Sequence, residues 1–304
     1  MLLLQQMVVL FFLMLVGFFI RKKEFISDNT CRHLSWIVVN IANPALIISG
    51  SINGSEVIRG RELLHILALA LGLFALMTVL SRILPLILGV KKSDIGVYSV
   101  MLIFSNIGFM GFPLIQALYG SEALVYAAVF QIPFNILIYT YGILAMKSEE
   151  GPKEKMNIQK IFNIGTICCI ISIIISQFGI SAPVYVKQIA QNLSNLTAPV
   201  SMMVIGASMV SISMKDLFTD IRLILFSLVK LIVLPVVILF MLKGIISNEM
   251  ILGVCLVMLA TPVASMTAML AQQYDGNYEL AAKGVALSTI LSVVTMPLVA
   301  FITT

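Results

Sequence analysis

Long apolar runs separated by short polar segments dominate this chain of 304 residues. A helix needs roughly 20 mostly apolar residues to cross the hydrocarbon core of a membrane, and these runs have about that length. The seventh run is the least regular, because its start is polar (Gln191, Asn192, Ser194 and Asn195). The pattern predicts ten membrane-spanning helices, at residues 3–20, 33–51, 63–89, 96–117, 121–146, 160–178, 188–211, 221–243, 250–273 and 279–302.

Composition supports this interpretation. The chain is 60% hydrophobic and 11% charged, with a mean hydropathy of +1.07, whereas a soluble domain is about 45–50% apolar and about 25% charged. Charged residues are too few to cover the surface of a soluble protein. The excess apolar surface must therefore face a lipid bilayer. The net charge of +5 comes from short basic clusters between the apolar runs. Nucleic acid is therefore not an expected partner, because a phosphate-binding face needs a continuous basic stripe.

Lysine and arginine predict the orientation of the helices. Of the 19 Lys and Arg residues, thirteen lie in or beside the loops after odd-numbered helices, and four lie in the loops after even-numbered helices. The remaining two, Arg82 and Lys230, fall inside predicted spans. Loops rich in positive charge stay in the cytoplasm. Ten spans then place both termini on the outer side of the cell membrane.

Signatures of metal, cofactor and enzyme sites are absent from the sequence. The four cysteines form no C-x-x-C pair, and the two histidines have no ligand partners at metal-binding spacing. No G-x-x-x-x-G-K-[ST] loop for ATP is present. We therefore expect no metal, no cofactor and no enzymatic activity.

The two halves of the chain resemble each other. Pro44 in the second predicted span has a counterpart in Pro199 in the seventh, and Pro113 in the fourth has one in Pro262 in the ninth. The prolines match in order, which favours an internal repeat over the alternative that membrane helices resemble one another by composition alone. Pro44 and Pro199 are predicted to interrupt their helices.

The repeat predicts how the chain is divided. Residues 1–146 form the first repeat, 147–159 a charged cytoplasmic linker, and 160–304 the second repeat. Each repeat has five helices, an odd number, so the second must insert upside down relative to the first. Inverted repeats of this kind are typical of secondary transporters.

The fourth span contains a cluster of helix-breaking residues. Gly108, Gly111 and Pro113 lie within six residues of one another, and a proline both removes a backbone donor and clashes with the preceding turn. Asn106, just before them, offers a side-chain amide. The sequence predicts a broken helix whose free backbone groups need partners in protein, water or ligand.

The ninth span is predicted to break at the matching place, around Thr261, Pro262 and Ser265. Two broken helices at corresponding positions indicate a binding site near the membrane midplane. The N-terminal ends of their second halves carry partial positive charge and suit a carboxylate. The alternative is a pair of proline kinks that serve only packing.

Two further features lie inside predicted spans. Lys230, in the eighth span, is expected to have a function, because a charge there is expensive. It would attract an anionic substrate, replace a sodium ion, or donate to carbonyls freed by a broken helix, and the sequence does not decide among these roles. Snorkelling of its ammonium group to the membrane surface is a weaker alternative. Gln131, Pro133 and Asn135 form a polar cluster that would line the cavity or bond a neighbouring helix.

No Asp or Glu lies deep inside a predicted span. A cation antiporter usually needs a buried carboxylate, so the pattern favours uniport or exchange. Sodium coupling through backbone carbonyls stays open as an alternative.

At these residues the chain resembles the auxin efflux carrier family, which includes the plant PIN exporters and bacterial carriers. The resemblance covers nearly the whole chain and is most specific in residues 106–120, 192–209 and 260–297. It implies that Asn106 corresponds to the family's carboxylate-binding asparagine and Gln131 to a pocket glutamine. The central loop is much shorter than in plant members.

The resemblance also implies an arrangement of the helices. The fold would be all-α, with ten helices in a five-plus-five inverted repeat like that of bile-acid and sodium/proton carriers. Helices 1, 2, 6 and 7 would form a scaffold domain and a homodimer interface. Helices 3–5 and 8–10 would form a transport domain, with broken helices 4 and 9 crossing at Pro113 and Pro262.

These inferences lead to one expected function and two alternatives. The chain is expected to be an elevator-type carrier in the cell membrane for a small organic anion such as a mono- or dicarboxylate. The alternatives are a sodium-coupled symporter of the bile-acid-carrier type, and a channel or sensor built on a carrier fold.

Overall fold

The computed structural model describes residues 2–53, 60–146, 161–211 and 217–303, and this part of the chain is helical, with no β-strand. The predicted linker, 147–159, lies outside the described residues. The helices, numbered in chain order, are α1 (Leu2–Lys22), α2 (Asp28–Asn53), α3 (Gly60–Ile87), α4 (Ile95–Ile103), α5 (Ile107–Tyr119), α6 (Ala123–Met146), α7 (Ile164–Phe178), α8 (Val184–Ser194), α9 (Thr197–Ser208), α10 (Ile221–Lys243), α11 (Glu249–Ala260), α12 (Met266–Gln273) and α13 (Tyr278–Thr303).

Each predicted span contains helix in this structure. Among the described residues, six helices are individually long and apolar enough to cross a membrane, namely α1, α2, α3, α6, α10 and α13. Helices α5, α7 and α11 are apolar but shorter. The structure therefore agrees with an all-helical membrane protein. Ten crossings arranged as an inverted repeat stay a prediction.

Glycines allow α1 and α9 to pack backbone against backbone. A methyl group added at Gly206 would lie 1.9 Å from the carbonyl oxygen of Met14, and one added at Gly17 would lie 2.0 Å from that of Met203. In a lipid bilayer the hydrophobic effect does not drive apolar helices to associate. Close van der Waals packing of this kind is therefore what holds such a pair together. Helices α1 and α9 therefore form one tightly packed unit.

A second set of glycines joins a different group of helices. Gly96 in α4 lies against the backbone of Ala145 in α6, and Gly253 in α11 lies against the ring of Tyr119 in α5. Gly284 in α13 packs on the side chain of Met101 in α4. These contacts make α4, α5, α6, α11 and α13 a second close-packed group.

Many of the largest fully buried side chains lie in this second group and in the segment between α4 and α5. The ring of Phe104 is fully buried and packs edge-on against Phe134, with ring centroids 5.3 Å apart. In contrast, α1 leaves large apolar side chains such as Phe12 and Phe19 exposed. Apolar side chains exposed along a helix of this length are expected where the helix faces lipid.

The two prolines predicted to interrupt helices behave differently. At Pro44 the helix is not interrupted, because a wide π-turn over Val38–Ala42 directly precedes it and accommodates the ring. Near Pro199 the chain is interrupted, since α8 ends at Ser194 and α9 begins at Thr197. Pro199 then lies in the first turn of α9, where a helix makes no use of the missing N–H.

Candidate functional site

The breaks in the fourth and ninth predicted spans lie side by side. Between α4 and α5 the chain is non-helical at residues 104–106, and between α11 and α12 it is non-helical at residues 261–265. Ser105 and Val263 form an antiparallel β-bridge between these two segments. Pro262 lies within its break, as the sequence predicts. Pro113 does not, because the chain breaks before the glycines and Pro113 continues inside α5.

Hydrogen bonds satisfy the backbone groups that the breaks release. The amide of Asn106 donates to the carbonyl of Pro262 at 2.7 Å, and the amide of Ala264 donates to that of Phe104 at 2.9 Å. The amide of Val263 donates to the hydroxyl of Ser288, in α13, at 3.0 Å. Unpaired backbone groups are costly away from water, so these bonds explain how two unwound segments are tolerated in the core.

Several of the predicted site residues meet at this junction. The side-chain amide of Asn106 points to the hydroxyl of Ser265 at 3.5 Å, which is long for a hydrogen bond. Asn106 is 3% exposed and Thr261 is fully buried. The structure therefore brings Asn106, Pro262 and Ser265 together from distant parts of the sequence.

The two glycines of the fourth span lie in a wide turn at the start of α5. This turn covers Ile107–Gly111 and contains Gly108 and Gly111. A methyl group added at Gly108 would lie 3.4 Å from the amide nitrogen of Asn43 in α2. The side-chain oxygen of Asn43 is buried without a hydrogen-bond partner. A bound molecule that donates a hydrogen bond would satisfy this oxygen.

Lys230 also belongs to this junction. It lies in a π-turn of α10 (Val229–Val233) and is 3% exposed. Its ammonium nitrogen donates to the carbonyl oxygen of Leu102 at 3.2 Å and to the hydroxyl of Ser105 at 3.0 Å. A cavity of about 30 Å³ beside it is lined mainly by apolar side chains. That volume holds water but not an organic acid, since one water needs about 10–15 Å³.

Gln131 and Asn135 make their hydrogen bonds elsewhere. The amide of Gln131 donates to Asn135 at 2.9 Å, and the amide of Asn135 donates to the hydroxyl of Thr166, in α7, at 2.7 Å. The structure thus connects this pair to a neighbouring helix, which is the second of the two roles predicted for it. The side-chain oxygen of Gln131 is buried without a partner.

A larger cavity, of about 300 Å³, lies between α5 and the junction of α8 with α9. Ligand-binding pockets have volumes of about 300–1,000 Å³, so this cavity can hold a small organic molecule. The residues that line it are uncharged and several are polar. They are Pro113, Gln116, Ala117, Gln191, Ser194, Asn195, Thr197 and Ala198.

Comparison with known sequences places this helix arrangement in a family. Residues 2–300 match the family described as "membrane transport protein". The chain belongs to this family. It is similar to an uncharacterized transporter of Methanothermobacter thermautotrophicus, with 21% identity over 286 residues that cover 94% of this chain and 93% of the relative. It is also similar to an uncharacterized transporter of Methanocaldococcus jannaschii, with 25% identity over 303 residues that cover 94% of each.

The match confirms the resemblance to the auxin efflux carriers, and it identifies the protein as a membrane transporter. The family is one of transporters rather than of enzymes. Within the described part of the transporter, no cluster of three or more His, Cys, Asp or Glu side chains could hold a metal ion.

The sequence-based interpretation missed the polar wall of the larger cavity in this transporter. Gln191 accepts a hydrogen bond from Ser49 at 3.0 Å and donates to Asn195 at 2.9 Å. Asn53 donates to Ser49 at 2.9 Å, so the network joins α2 to α8. The signal was present in the polar start of the seventh predicted span. Polar side chains at the start of a span predict an irregular helix as readily as the wall of a site.

Thr197 completes this wall of the transporter. Its side chain is fully buried and lines the cavity, and its hydroxyl group has no hydrogen-bond partner within the described part of the chain. Buried hydroxyl groups are nearly always hydrogen-bonded. A molecule in the cavity that offers an acceptor or a donor would satisfy it.

Proposed function

We propose that the transporter is an elevator-type carrier for a small organic anion such as a mono- or dicarboxylate. The observation that carries the proposal is the pairing of the breaks at 104–106 and 261–265 through the bonds of Asn106 and Ala264. Carriers bind substrate where two discontinuous helices meet, because helix ends and unwound backbone offer polar groups there. A proline kink that serves only packing needs no such pairing.

The close contacts support a division into two moving bodies. In the proposal, α1, α2 and α7–α9 form the scaffold, and α3–α6 with α10–α13 form the transport domain. The contacts of Gly17 and Gly206 lie within the scaffold, whereas those of Gly96, Gly253 and Gly284 lie within the transport domain. The bonds between the two breaks, and those of Lys230, also lie within the transport domain. Two hydrogen bonds cross the boundary, from Asn135 to Thr166 at 2.7 Å and from Ser201 to the carbonyl of Phe109 at 2.8 Å, so these bonds would have to break when one body moves against the other.

The larger cavity lies on the boundary between these two bodies. Pro113 and Gln116 come from α5 in the proposed transport domain, and Gln191 and Thr197 come from the proposed scaffold. An elevator carrier binds substrate at such a boundary, so that sliding of one body exposes the site to the other side. Helix α5 also connects the cavity to Asn106, because Asn106 directly precedes this helix in the chain.

The polar groups at this boundary suit an anion. Among the described residues, the cavity lining contains amides and hydroxyl groups and no carboxylate. The N-terminus of α9, at Thr197, adds partial positive charge at the cavity, and the N-terminus of α5 does the same near Asn106. In this proposal Asn106 binds the substrate carboxylate, and Lys230 makes the surrounding potential more positive.

The proposal includes a membrane topology. Ten crossings in a five-plus-five inverted repeat, with both termini outside the cell membrane, account for the distribution of Lys and Arg along the chain. Without a carboxylate inside the predicted spans, the substrate gradient and the membrane potential would drive uniport or exchange.

We also propose a homodimer that forms through the scaffold helices. Helix α1 exposes Phe12, Val16 and Phe19, and a second copy would cover part of such a surface. Mass measurement of the purified protein in detergent tests this, and a monomer at all protein concentrations would contradict it.

Counterflow in proteoliposomes tests the function. Vesicles loaded with an unlabelled carboxylate should accumulate the labelled compound transiently above its external concentration, because a carrier couples the two directions. A channel cannot do this, and a sodium symporter would need sodium. The carboxylate is chosen by a thermal-shift screen of mono- and dicarboxylates, since a ligand stabilises the state that it binds.

The site assignment is tested by Asn106→Ala. This variant should lose counterflow while its expression and oligomeric state are retained. Asn40→Ala is the matched control, because Asn40 bonds only the backbone of its own helix, at Trp36. Transport by Asn106→Ala at the wild-type rate would overturn the role of Asn106.

A further inference from the structure

The break after α4 leaves carbonyl groups without their normal helical partners. In a continuous helix, the amides of Asn106 and Ile107 would bond the carbonyls of Leu102 and Ile103. Here the amide of Asn106 bonds Pro262 and the amide of Ile107 bonds Ser105. The carbonyls at the end of α4 are thus available to an external donor or to a cation.

Lys230 occupies this position. Its ammonium group reaches from α10 to the carbonyl of Leu102 and to the hydroxyl of Ser105. Within the described ranges, no carboxylate forms an ion pair with it. The ammonium group is therefore held by a carbonyl, a hydroxyl and the partial negative charge at the C-terminus of α4. This set of oxygen ligands at a half-helix C-terminus is the kind that coordinates sodium in carriers with broken helices.

We propose that the ammonium group of Lys230 is a tethered cation that fills a monovalent-cation site at the paired helix breaks. Because the site carries its own cation, the protein needs no free sodium to stabilise the unwound segment. The neighbouring cavity of about 30 Å³ leaves room for water but not for a second hydrated cation. Removal of the lysine side chain converts the position into a vacant site for a small free cation.

Thermal unfolding of the purified protein in detergent tests this inference independently of transport. The melting temperature is measured in choline chloride, in sodium chloride and in ethylammonium chloride at equal ionic strength. The wild type should show the same Tm in all three salts. Lys230→Ala should melt lower in choline and be stabilised by ethylammonium or sodium, by about 3 °C for each tenfold rise in concentration above the dissociation constant.

Two matched variants separate a cation site from other effects. Lys243→Ala removes an exposed lysine from the end of the same helix, so it should show no salt-specific stabilisation. Lys230→Met fills the space with an uncharged side chain, so it should be destabilised and should not respond to either cation. Equal Tm values for Lys230→Ala in all three salts would overturn the proposal.

A further comparison applies if Lys230→Ala does not survive purification. Lys230→Arg keeps the charge and Lys230→Met keeps only the volume. The proposal predicts that the Arg variant has the higher Tm of the two. A Met variant as stable as the wild type would show that packing, rather than a cation, is what the position requires.

Discussion

The backbone amide of Asn106 donates a 2.7 Å hydrogen bond to the carbonyl of Pro262, although the two residues belong to different halves of the chain. Each break thus supplies a partner for the other, which neither could find within its own helix. The hydroxyl of Ser288 satisfies a third group, the amide of Val263. The junction is therefore one hydrogen-bonded unit, and its weakest points can be tested.

Ser288→Ala should destabilise the protein. The amide of Val263 would lose its partner in a buried place, which costs about 1–3 kcal/mol. Thermal unfolding should show a fall in Tm. Ser292→Ala is the matched control, because Ser292 is equally buried in α13 but bonds only the backbone of its own helix, at Thr289. Equal losses in both variants would argue against a special role for Ser288.

Gly206→Ala should weaken the packing of α1 against α9. The new methyl group would lie 1.9 Å from the carbonyl oxygen of Met14, so the helices must separate, and overpacking of this kind costs about 1–3 kcal/mol. Gly72→Ala, in α3, meets no atom within 4 Å and should gain up to about 1 kcal/mol from helix propensity. Thermal unfolding of the two variants should therefore show shifts of opposite sign.

Thr197→Val should weaken substrate binding without loss of stability. The hydroxyl of Thr197 has no partner in the described ranges, so its replacement by a methyl group of similar size removes no hydrogen bond seen in the structure. A higher half-saturation concentration in counterflow, with an unchanged or raised Tm in the absence of substrate, is expected. Thr289→Val is the control, because its hydroxyl bonds the carbonyl of Val285 within its own helix. Unaltered half-saturation in Thr197→Val would exclude this hydroxyl from the site.

Reporter fusions test the proposed orientation. Alkaline phosphatase joined after residue 304 should be active in a bacterial host, because that enzyme folds only outside the cytoplasm. Green fluorescent protein joined at the same point, and carried across the membrane by the same route, should not fluoresce. If the green fluorescent protein fusion fluoresces and the phosphatase fusion is inactive, the C-terminus is cytoplasmic. With the N-terminus outside, the number of crossings would then be odd.

Much of the candidate site could be predicted from the sequence. Pro262 weakens its helix because proline lacks the amide that the helix needs, and this is a local property. The break near Asn106 was also predicted, but it lies before Gly108 and Pro113 rather than at them. A wide turn over Ile107–Gly111 absorbs the glycines. The bonds to the opposite break decide where α4 ends, and sequence patterns within one helix do not contain that information.

Other predictions failed or stayed open for a similar reason. At Pro44 the helix continues, because a π-turn accommodates the ring. The three roles open to Lys230 could not be separated by sequence, since each needs only a buried charge. Its contacts with Leu102 and Ser105 show only that it donates to the end of α4, and its functional role stays a prediction.

Composition and periodicity alone determined that this chain is a helical membrane protein, because too few charges are present to cover a soluble surface. The order of prolines and polar residues indicated which helices would break. Only the tertiary structure decided that the two breaks pair with each other, that Lys230 binds the end of α4, and that Gln191 and Thr197 line a cavity with α5. The physical reason is that apolar periodicity reports a helix and its environment, whereas hydrogen bonds between distant segments depend on how the helices pack.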